Sequence, residues 1–426
     1  SSASATATHS ISPLGIRSKS EKQEMNFPII FFLISVVALI FVKGPINKRV
    51  EIYSQGAGQT DLLLMVWIFL LAGAFASTAK AMGAIDAAVG LTLSVMPASM
   101  LLPGLFLAVC LISFSIGTSV GTIAALTPIA VAIAHTTGIS TPLMVGCIVG
   151  GSFFGDNLSF ISDTTIVATR TQGIALREKF LANFRVVLPA ALIALALYVW
   201  LGINTLEESV NVGHSLAAAS PLGGSEGGRG GFLVLPYLAV IVLALLGVNV
   251  LVVLLAGNLL AGLIGLATGA LAAGAWGDAV SEGMAGMQET ILVALMAGGL
   301  LAVVRHTGFL DYLIRQLTRR VSGQRGAEWS IAALVSLTNI LTANNTVAIL
   351  SVGGISADIA RRFGVDPRRS ASILDTFSCI VQGVLPYGAQ LLVASGLAGI
   401  SAVSIIPCLY YTIILLLAAC IAIIRK

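Results

Sequence analysis

Long runs of apolar residues, separated by short polar connectors, constrain this chain of 426 residues more than any other feature. Each run is about 15 to 20 residues long, enough for a helix to cross or nearly cross a hydrocarbon core roughly 30 Å thick. Only 10% of the residues are charged, and the mean hydropathy is +0.98. The pattern excludes an ordinary soluble fold and predicts an all-α polytopic membrane protein embedded in a lipid bilayer.

The apolar spans divide the chain into two halves. They fall at 27–42, 61–79, 101–134, 142–169, 185–204, 232–247, 249–269, 289–304, 330–361, 370–401 and 404–424. The spans 101–134 and 330–361 are each long enough for two short helices, which predicts a helical hairpin. We therefore expect four parts: a polar tail at 1–26, a first transmembrane repeat at 27–204, a flexible extracytoplasmic linker at 205–231, and a second transmembrane repeat at 232–426.

The two halves resemble each other in sequence. A shift of 225 residues places Ala72, Gly73, Lys80, Gly83 and Asp86 on Ala297, Gly298, Arg305, Gly308 and Asp311. A shift of 226 places Gly138 on Gly364, and the order of the spans recurs at the same offset. A repeated order of elements at a fixed shift predicts an internal duplication.

The basic residues predict that the two repeats are inverted. Loop 305–328 holds five arginines and loop 361–369 holds four, whereas their first-half counterparts 80–100 and 135–141 hold one lysine and none. If connectors 43–60, 170–185, 305–328, 361–369 and the C-terminus are cytoplasmic, 18 of the 23 basic residues lie inside, as the positive-inside rule prefers. Inverted repeats with hairpins are typical of secondary transporters, whose sites lie near the membrane midplane between the repeats.

A dense polar cluster interrupts the span 142–169. It reads GDNLSFISDTT and contributes Asp156, Asn157, Ser159, Ser162, Asp163, Thr164 and Thr165. A charged side chain costs at least about 2.5–3.5 kcal/mol at membrane depth. Short polar side chains compete for backbone hydrogen bonds, so we expect an unwound stretch whose oxygens form a cage for Na⁺, with Asp156 and Asp163 as exchangeable ligands for Na⁺ or a proton. The corresponding Pro386-Tyr387-Gly388 predicts a second helix break.

The hairpin tips supply a second group of candidate ligands. These are Thr118 and Ser119 in the first half and Asn344, Asn345 and Thr346 in the second. Such side chains coordinate ions in some proteins and only join helices in others, and both interpretations stay open. Asp375 likewise is either a partner for a helix N-terminus or a third acid on the ion path.

Other activities have no motif in this sequence. It contains no phosphate-binding P-loop, no HExxH and no GxSxG, so neither ATP-driven transport nor an enzymatic activity is indicated. Nothing points to a cofactor or to nucleic acid. Transport coupled to an ion gradient remains.

The polar cluster, preceded by GTSVGT, resembles the NhaC-type Na⁺/H⁺ antiporters of the ion transporter superfamily. The resemblance rests on Gly155, Asp156, Ser159, Ser162, Asp163, Thr164 and Thr165. It implies a multi-pass protein of the bacterial inner membrane, built from two inverted repeats that each contain a helical hairpin and a discontinuous helix. Members of the superfamily often form dimers, so we also expect a homodimer.

The sequence departs from the family pattern in two places. Phe160 and Ile161 stand where a proline is expected, and the second tip reads Ala343-Asn344-Asn345-Thr346 where serine and glutamine are familiar. Relatives also exchange other solutes, including malate for lactate. Our first hypothesis is an antiporter that exchanges cytoplasmic Na⁺ for external protons, and the alternative is Na⁺- or H⁺-coupled exchange of a small organic anion.

Overall fold

A computed structural model describes residues 27–207, 230–309, 312, 315–316 and 321–425, and within them it contains helices and no strands. The first half comprises α1 (Phe27–Phe41), α2 (Ile46–Ala57), α3 (Thr60–Ala81), α4 (Ala84–Val95), α5 (Leu101–Ile116), α6 (Ser119–Thr137), α7 (Thr141–Leu158), α8 (Asp163–Gln172) and α9 (Leu176–Glu207). The second comprises α10 (Gly230–Leu233), α11 (Leu235–Leu245), α12 (Val250–Thr268), α13 (Ala273–Gly286), α14 (Gln288–His306), α15 (Gly323–Thr342), α16 (Asn345–Phe363), α17 (Pro367–Val384), α18 (Ala389–Ala398), α19 (Ala402–Ile405) and α20 (Tyr410–Ile424).

The protein is a multi-pass membrane protein. Seven segments of the described chain are long and apolar enough to cross a bilayer, and an eighth is added if the bent pair 402–408 and 410–424 forms one span. Three shorter apolar helices, at 28–40, 101–116 and 235–245, accompany them. The predicted tail 1–26 and residues 208–229 of the predicted linker lie outside the described residues; on either side of the linker, α9 ends at Glu207 and α10 begins at Gly230.

The helix boundaries repeat at the offset found in the sequence. A shift of 226 carries the end of α5 at Ile116 onto the end of α15 at Thr342. It also carries both bounds of α6, α7 and α8 onto the bounds of α16, α17 and α18, respectively. Each half therefore contains a helical hairpin followed by a helix broken by four residues, at 159–162 and at 385–388. The predicted hairpins and discontinuous helices are present, and the inverted orientation of the repeats stays a prediction.

Turn chemistry explains why the hairpin tips match. The residue after α5, Gly117, adopts a left-handed backbone with φ of 73°, and Ala343 takes the same place after α15 with φ of 47°. Ala343 is the one non-glycine residue with positive φ in the described part of the chain. A left-handed conformation costs an alanine about 1–2 kcal/mol, so packing around the second tip must hold it there.

Three predicted connectors contain helices that the apolar pattern does not reveal: α2 within 43–60, α4 within 80–100 and α13 within 270–288. Helix α2 packs on α14 of the other half, and α13 packs on α3. Both contacts use glycine pairs: a Cβ on Gly56 would lie 2.4 Å from the carbonyl oxygen of Gly298, and one on Gly73 would lie 2.2 Å from that of Gly283. The two contacts are thus equivalent, because in each a shorter connector helix of one half packs on a long helix of the other half.

The two broken helices occupy the centre of the fold. Nearly every residue of α7 is buried, and α17 is buried over most of its length. Helix α7 packs against α5, α6 and α17, while α8 packs on α16 of the second half and α18 packs on α6 of the first. This packing encloses Ser159 and Ser162 of the first break within the protein, whereas Tyr387 of the second break stays partly exposed.

Candidate ion-binding site

The carboxylate of Asp156 lies at the tip of the first hairpin. Its Oδ1 accepts a hydrogen bond of 3.0 Å from the backbone N–H of Ser119, the first residue of α6, and the side chain is 4% exposed. The positive end of the α6 dipole favours an anion there. Gly155 permits this approach, because a Cβ on it would lie 2.2 Å from the Ser113 hydroxyl oxygen of α5.

A buried ion pair joins the two halves beside this tip. The ammonium of Lys179, on α9, contacts Oδ2 of Asp375, on α17, at 2.8 Å, and the two side chains are 1% and 0% exposed. The same ammonium donates to the backbone oxygen of Asn157 at 2.8 Å and to Oγ1 of Thr165 at 2.6 Å. The side-chain amide of Asn183 donates to the same backbone oxygen of Asn157 and to Oδ2 of Asp375. All three N–H groups of the ammonium therefore have oxygen partners.

A chain of amides links the two tips. Gln382, near the end of α17, donates through Nε2 to the backbone oxygen of Ala343 at 3.1 Å and to Oε1 of Gln390 at 2.9 Å. Gln390, in the first turn of α18, donates to Oγ of Ser119 at 2.9 Å. The chain crosses between the repeats and reaches the residue whose N–H binds Asp156.

Several buried oxygens of this centre have no donor among the described residues. They are Asp375 Oδ1 and the side-chain carbonyl oxygens of Asn157, Asn183, Asn339 and Gln382. The amide nitrogen of each of these Asn and Gln residues donates to another oxygen, which fixes the orientation of the amide and leaves its oxygen as the free atom. The hydroxyl groups of Thr376, Tyr411 and Thr412 also lack partners within the described part of the chain. Buried polar atoms normally have partners, so a group of oxygens of this kind is suited to a bound cation or to ordered water.

The structure brings together most of the predicted ligands of the first half. Asp156, Asn157, Ser159, Ser162, Thr164, Thr165 and Ser119 are buried, and Thr118 is half-buried. The Thr165 hydroxyl lies 3.4 Å from the backbone oxygen of Asp156, and the hydroxyls of Ser162 and Thr164 lie 3.0 Å apart. Asp163 begins α8, and its side chain is exposed, unlike those of the buried group.

The predicted ligands at the second tip make contacts within the tip and one contact with α17. Asn344 caps α16 by accepting from the N–H of Val347 at 3.0 Å, and Asn345 accepts from the N–H of Thr346 at 3.1 Å. The second tip reaches the centre through the backbone oxygen of Ala343. Asn344 therefore shapes the tip from within, whereas Asn345 also donates through its amide to Cys379 Sγ of α17 at 4.0 Å.

For Asp375, the interpretation as a helix N-terminal partner is wrong. Helix α17 begins at Pro367, so Asp375 lies in its third turn and contacts Lys179. Sequence reasoning also missed Lys179 and Asn183, because the predicted connector 170–185 ends in the first turns of α9. A signal was available: Lys179, Asn183 and Val187 recur every four residues and continue the buried stripe of α9.

A helical membrane protein whose two broken helices enclose a buried charged centre falls in the class of secondary active transporters. The sequence model of the Na⁺/H⁺ antiporter family matches residues 21–203 and 179–425. The chain therefore belongs to the Na⁺/H⁺ antiporter family and is an antiporter.

Named relatives and a solved structure are similar to this chain. The malate-2H⁺/Na⁺-lactate antiporter of Bacillus subtilis is 22% identical over 84% of this chain and 80% of its own length. The Na⁺/H⁺ antiporter NhaC of Alkalihalophilus pseudofirmus is 23% identical over 72% of this chain and 70% of its own, and the arginine/ornithine antiporter ArcD of Halobacterium salinarum is 25% identical over 71% and 66%. The crystal structure of the Alcanivorax borkumensis YdaH transporter aligns with 94% of this chain over 98% of its own length, with 13% sequence identity and a TM-score of 0.43.

Proposed function

We propose that this antiporter exchanges cytoplasmic Na⁺ for external protons across a bacterial inner membrane. The observation that carries the proposal is the charge of the buried centre. Asp156 and Asp375 are two carboxylates and Lys179 is one ammonium, which leaves one negative charge in excess when all three are ionised. An uncompensated buried charge costs several kcal/mol, so the centre favours one monovalent cation or one proton.

The competition of the two ions for one carboxylate explains antiport. Na⁺ is a hard cation that prefers oxygen ligands, and the buried centre contains carboxylate and amide oxygens without donors among the described residues. A proton that binds Asp156 removes the charge that Na⁺ needs, and bound Na⁺ opposes protonation. Asp163 follows at the exposed start of α8, where we assign it to the accessible end of the same ion site.

The position of the centre between the repeats is suited to alternating access. The Lys179–Asp375 pair and the Ser119–Gln390 bond each join a residue of the first half to one of the second. A movement of one repeat against the other would change both contacts. Occupancy by Na⁺ or by a proton therefore acts on the contacts that hold the two repeats together.

Exchange of an organic anion is the second candidate function. A narrow cleft lies against the second hairpin tip and is lined by Arg305, Thr342 and Asn344. A guanidinium beside a helix N-terminus is suited to a carboxylate. A relative named for malate and lactate gives this candidate a precedent.

The experiment that separates the candidates uses purified protein in liposomes with a trapped pH indicator. A Na⁺ pulse should move protons in the absence of any organic solute. Asp156→Asn should lose this exchange, because an amide cannot take up a proton or carry the charge that holds Na⁺. The variant should still fold, since an amide oxygen can accept from the Ser119 N–H.

Asp358→Asn provides the matched control. The Asp358 side chain is 72% exposed and pairs with Arg361, so it is not part of the buried centre. This variant should exchange Na⁺ for protons at the wild-type rate. Proton movement that requires malate, lactate or another organic solute would refute Na⁺/H⁺ exchange in favour of the second candidate, and intact exchange in Asp156→Asn would refute the assigned site.

A further inference from the structure

Gln382 occupies the place in the second repeat that Asp156 occupies in the first. The shift of 226 carries α7 onto α17 and residue 156 onto residue 382. It also carries the bond from the Ser113 hydroxyl to the Ser152 backbone oxygen onto the bond from the Asn339 amide to the Ser378 backbone oxygen. The two positions thus correspond in fold and in local hydrogen bonding, although one side chain is an acid and the other an amide.

The free atom of Gln382 is its carbonyl oxygen. Both N–H groups of the side-chain amide are used, one by Ala343 and one by Gln390, so the orientation of the amide is fixed. Its Oε1 is buried without a donor in the described part of the chain, and the side chain is 1% exposed. A carbonyl oxygen in this situation needs a donor or a cation.

The amide chain places Gln382 close to Asp156. Gln390 contacts Gln382 on one side and the Ser119 hydroxyl on the other, and the N–H of Ser119 binds the Asp156 carboxylate. Only two side chains therefore separate the equivalent positions of the two repeats. One position carries a carboxylate and the other a neutral oxygen, and this chain of hydrogen bonds connects them.

We propose that Oε1 of Gln382 is a ligand of the transported cation, which rests on the proposed cation exchange. An amide oxygen coordinates Na⁺ but does not take up a proton at physiological pH. The second repeat then adds a ligand to the site without adding a second exchangeable charge. Of the two equivalent positions, Asp156 alone exchanges protons, and Gln382 contributes to the choice among cations.

The test compares Gln382→Met with Gln390→Met in liposomes. Both substitutions break the bond between the two glutamines, but only Gln382→Met removes a free oxygen, because Gln390 has a partner for its oxygen and its nitrogen. Proton movement is measured against Na⁺ and against Li⁺ concentration. We expect Gln382→Met to raise the half-saturating Na⁺ concentration about tenfold and to change the Na⁺/Li⁺ ratio, and Gln390→Met to affect both ions by the same factor.

An unchanged ratio in Gln382→Met, or an equal change in both variants, would overturn the assignment and leave Gln382 a structural link. If Gln382→Met does not fold, Gln382→Glu replaces it. Glutamate keeps an oxygen at this position and adds a group that can be protonated, so the number of protons released per Na⁺ should rise. An unaltered number would also overturn the proposal. A wild type that moves no protons would refute the proposed exchange separately. In that case thermal stabilisation by NaCl, present in the wild type and lost in Gln382→Met, would still support the ligand role, and its absence from the wild type would refute it.

Discussion

At the scale of the residue, Lys179 is the group whose burial demands the most compensation. An ammonium removed from water loses hydration that is worth several kcal/mol, and three oxygens at 2.6–2.8 Å replace it. Two of these oxygens, from Asn157 of α7 and Thr165 of α8, belong to the first broken helix, and the third belongs to Asp375 of α17. The lysine therefore acts as a fixed internal cation that holds the two repeats together.

We expect Lys179→Met to destabilise the protein by about 3–5 kcal/mol, because it leaves Asp375 as a buried charge without a partner. The double variant Lys179→Met/Asp375→Asn should recover much of this loss, since it removes both charges. Arg177→Met, an exposed position two residues earlier on α9, is the control and should be close to neutral. The measurement is thermal unfolding of the detergent-purified variants. Equal stability of Lys179→Met and Arg177→Met would contradict the described ion pair.

Sequence reasoning singled out Asp156, Asn157 and Thr165 because such polar residues are unusual within an apolar span, and the structure buries all three. It missed Lys179 for the opposite reason, since a lysine near a cluster of basic residues resembles an ordinary cytoplasmic loop residue. Gln382 was reachable, because the shift of 226 that relates the halves places it on Asp156. An uncharged amide in an apolar span attracts less attention than an acid, although its buried oxygen carries the same need for a partner.

At the scale of the element, glycine pairs set the distance between helices of different repeats. Helices without side chains at the contact approach until their backbones touch, which is a common way to associate within lipid. The pair Gly73–Gly283 joins α3 to α13, and the pair Gly56–Gly298 joins α2 to α14. The contacts are equivalent, because the 225-residue shift carries Gly73 onto Gly298.

A valine at residue 73 of α3 or at residue 298 of α14 should therefore lower the stability of the protein by a similar amount. We expect Gly73→Val and Gly298→Val each to destabilise by at least about 1–3 kcal/mol. At residue 73 the new side chain would overlap the backbone of Gly283, and at residue 298 it would overlap the Leu62 side chain and press on the Gly56 carbonyl oxygen. Gly354→Val is the control, since nothing lies within 4 Å of a Cβ at this position of α16. Thermal unfolding in detergent measures all three. A neutral Gly73→Val would show that α3 and α13 do not pack as described.

The elements were predicted where hydrophobicity alone decides them. The hairpins, the broken helices and their equivalence all follow from apolar runs and from the breakers at 159–162 and 385–388. Helices α2, α4 and α13 escaped, because they are short and stand in stretches that resemble connectors. Each is stabilised by packing on other helices, which a span-by-span reading of hydropathy does not evaluate.

At the scale of the whole molecule, the repeats exchange contacts in pairs. Helix α8 packs on α16 and α18 packs on α6, while α2 packs on α14 and α13 on α3. Two bodies that hold each other through equivalent contacts can move as units about the centre between them. This arrangement agrees with a transporter whose ion site lies where the repeats meet.

The orientation of the repeats has its own test, which uses equivalent exposed positions. Residues 136 and 362 are related by the shift of 226 and lie near the ends of α6 and α16, where both side chains are exposed. In a background whose five native cysteines are replaced, Thr136→Cys and Arg362→Cys each introduce one thiol. The arginines around position 362 favour the cytoplasm, so inverted repeats place position 136 outside. A membrane-impermeant maleimide should then label Thr136→Cys in intact cells and Arg362→Cys only in inside-out vesicles. Labelling of both variants from the same face would mean that the repeats are parallel, and the charge difference between the equivalent loops would then need another explanation.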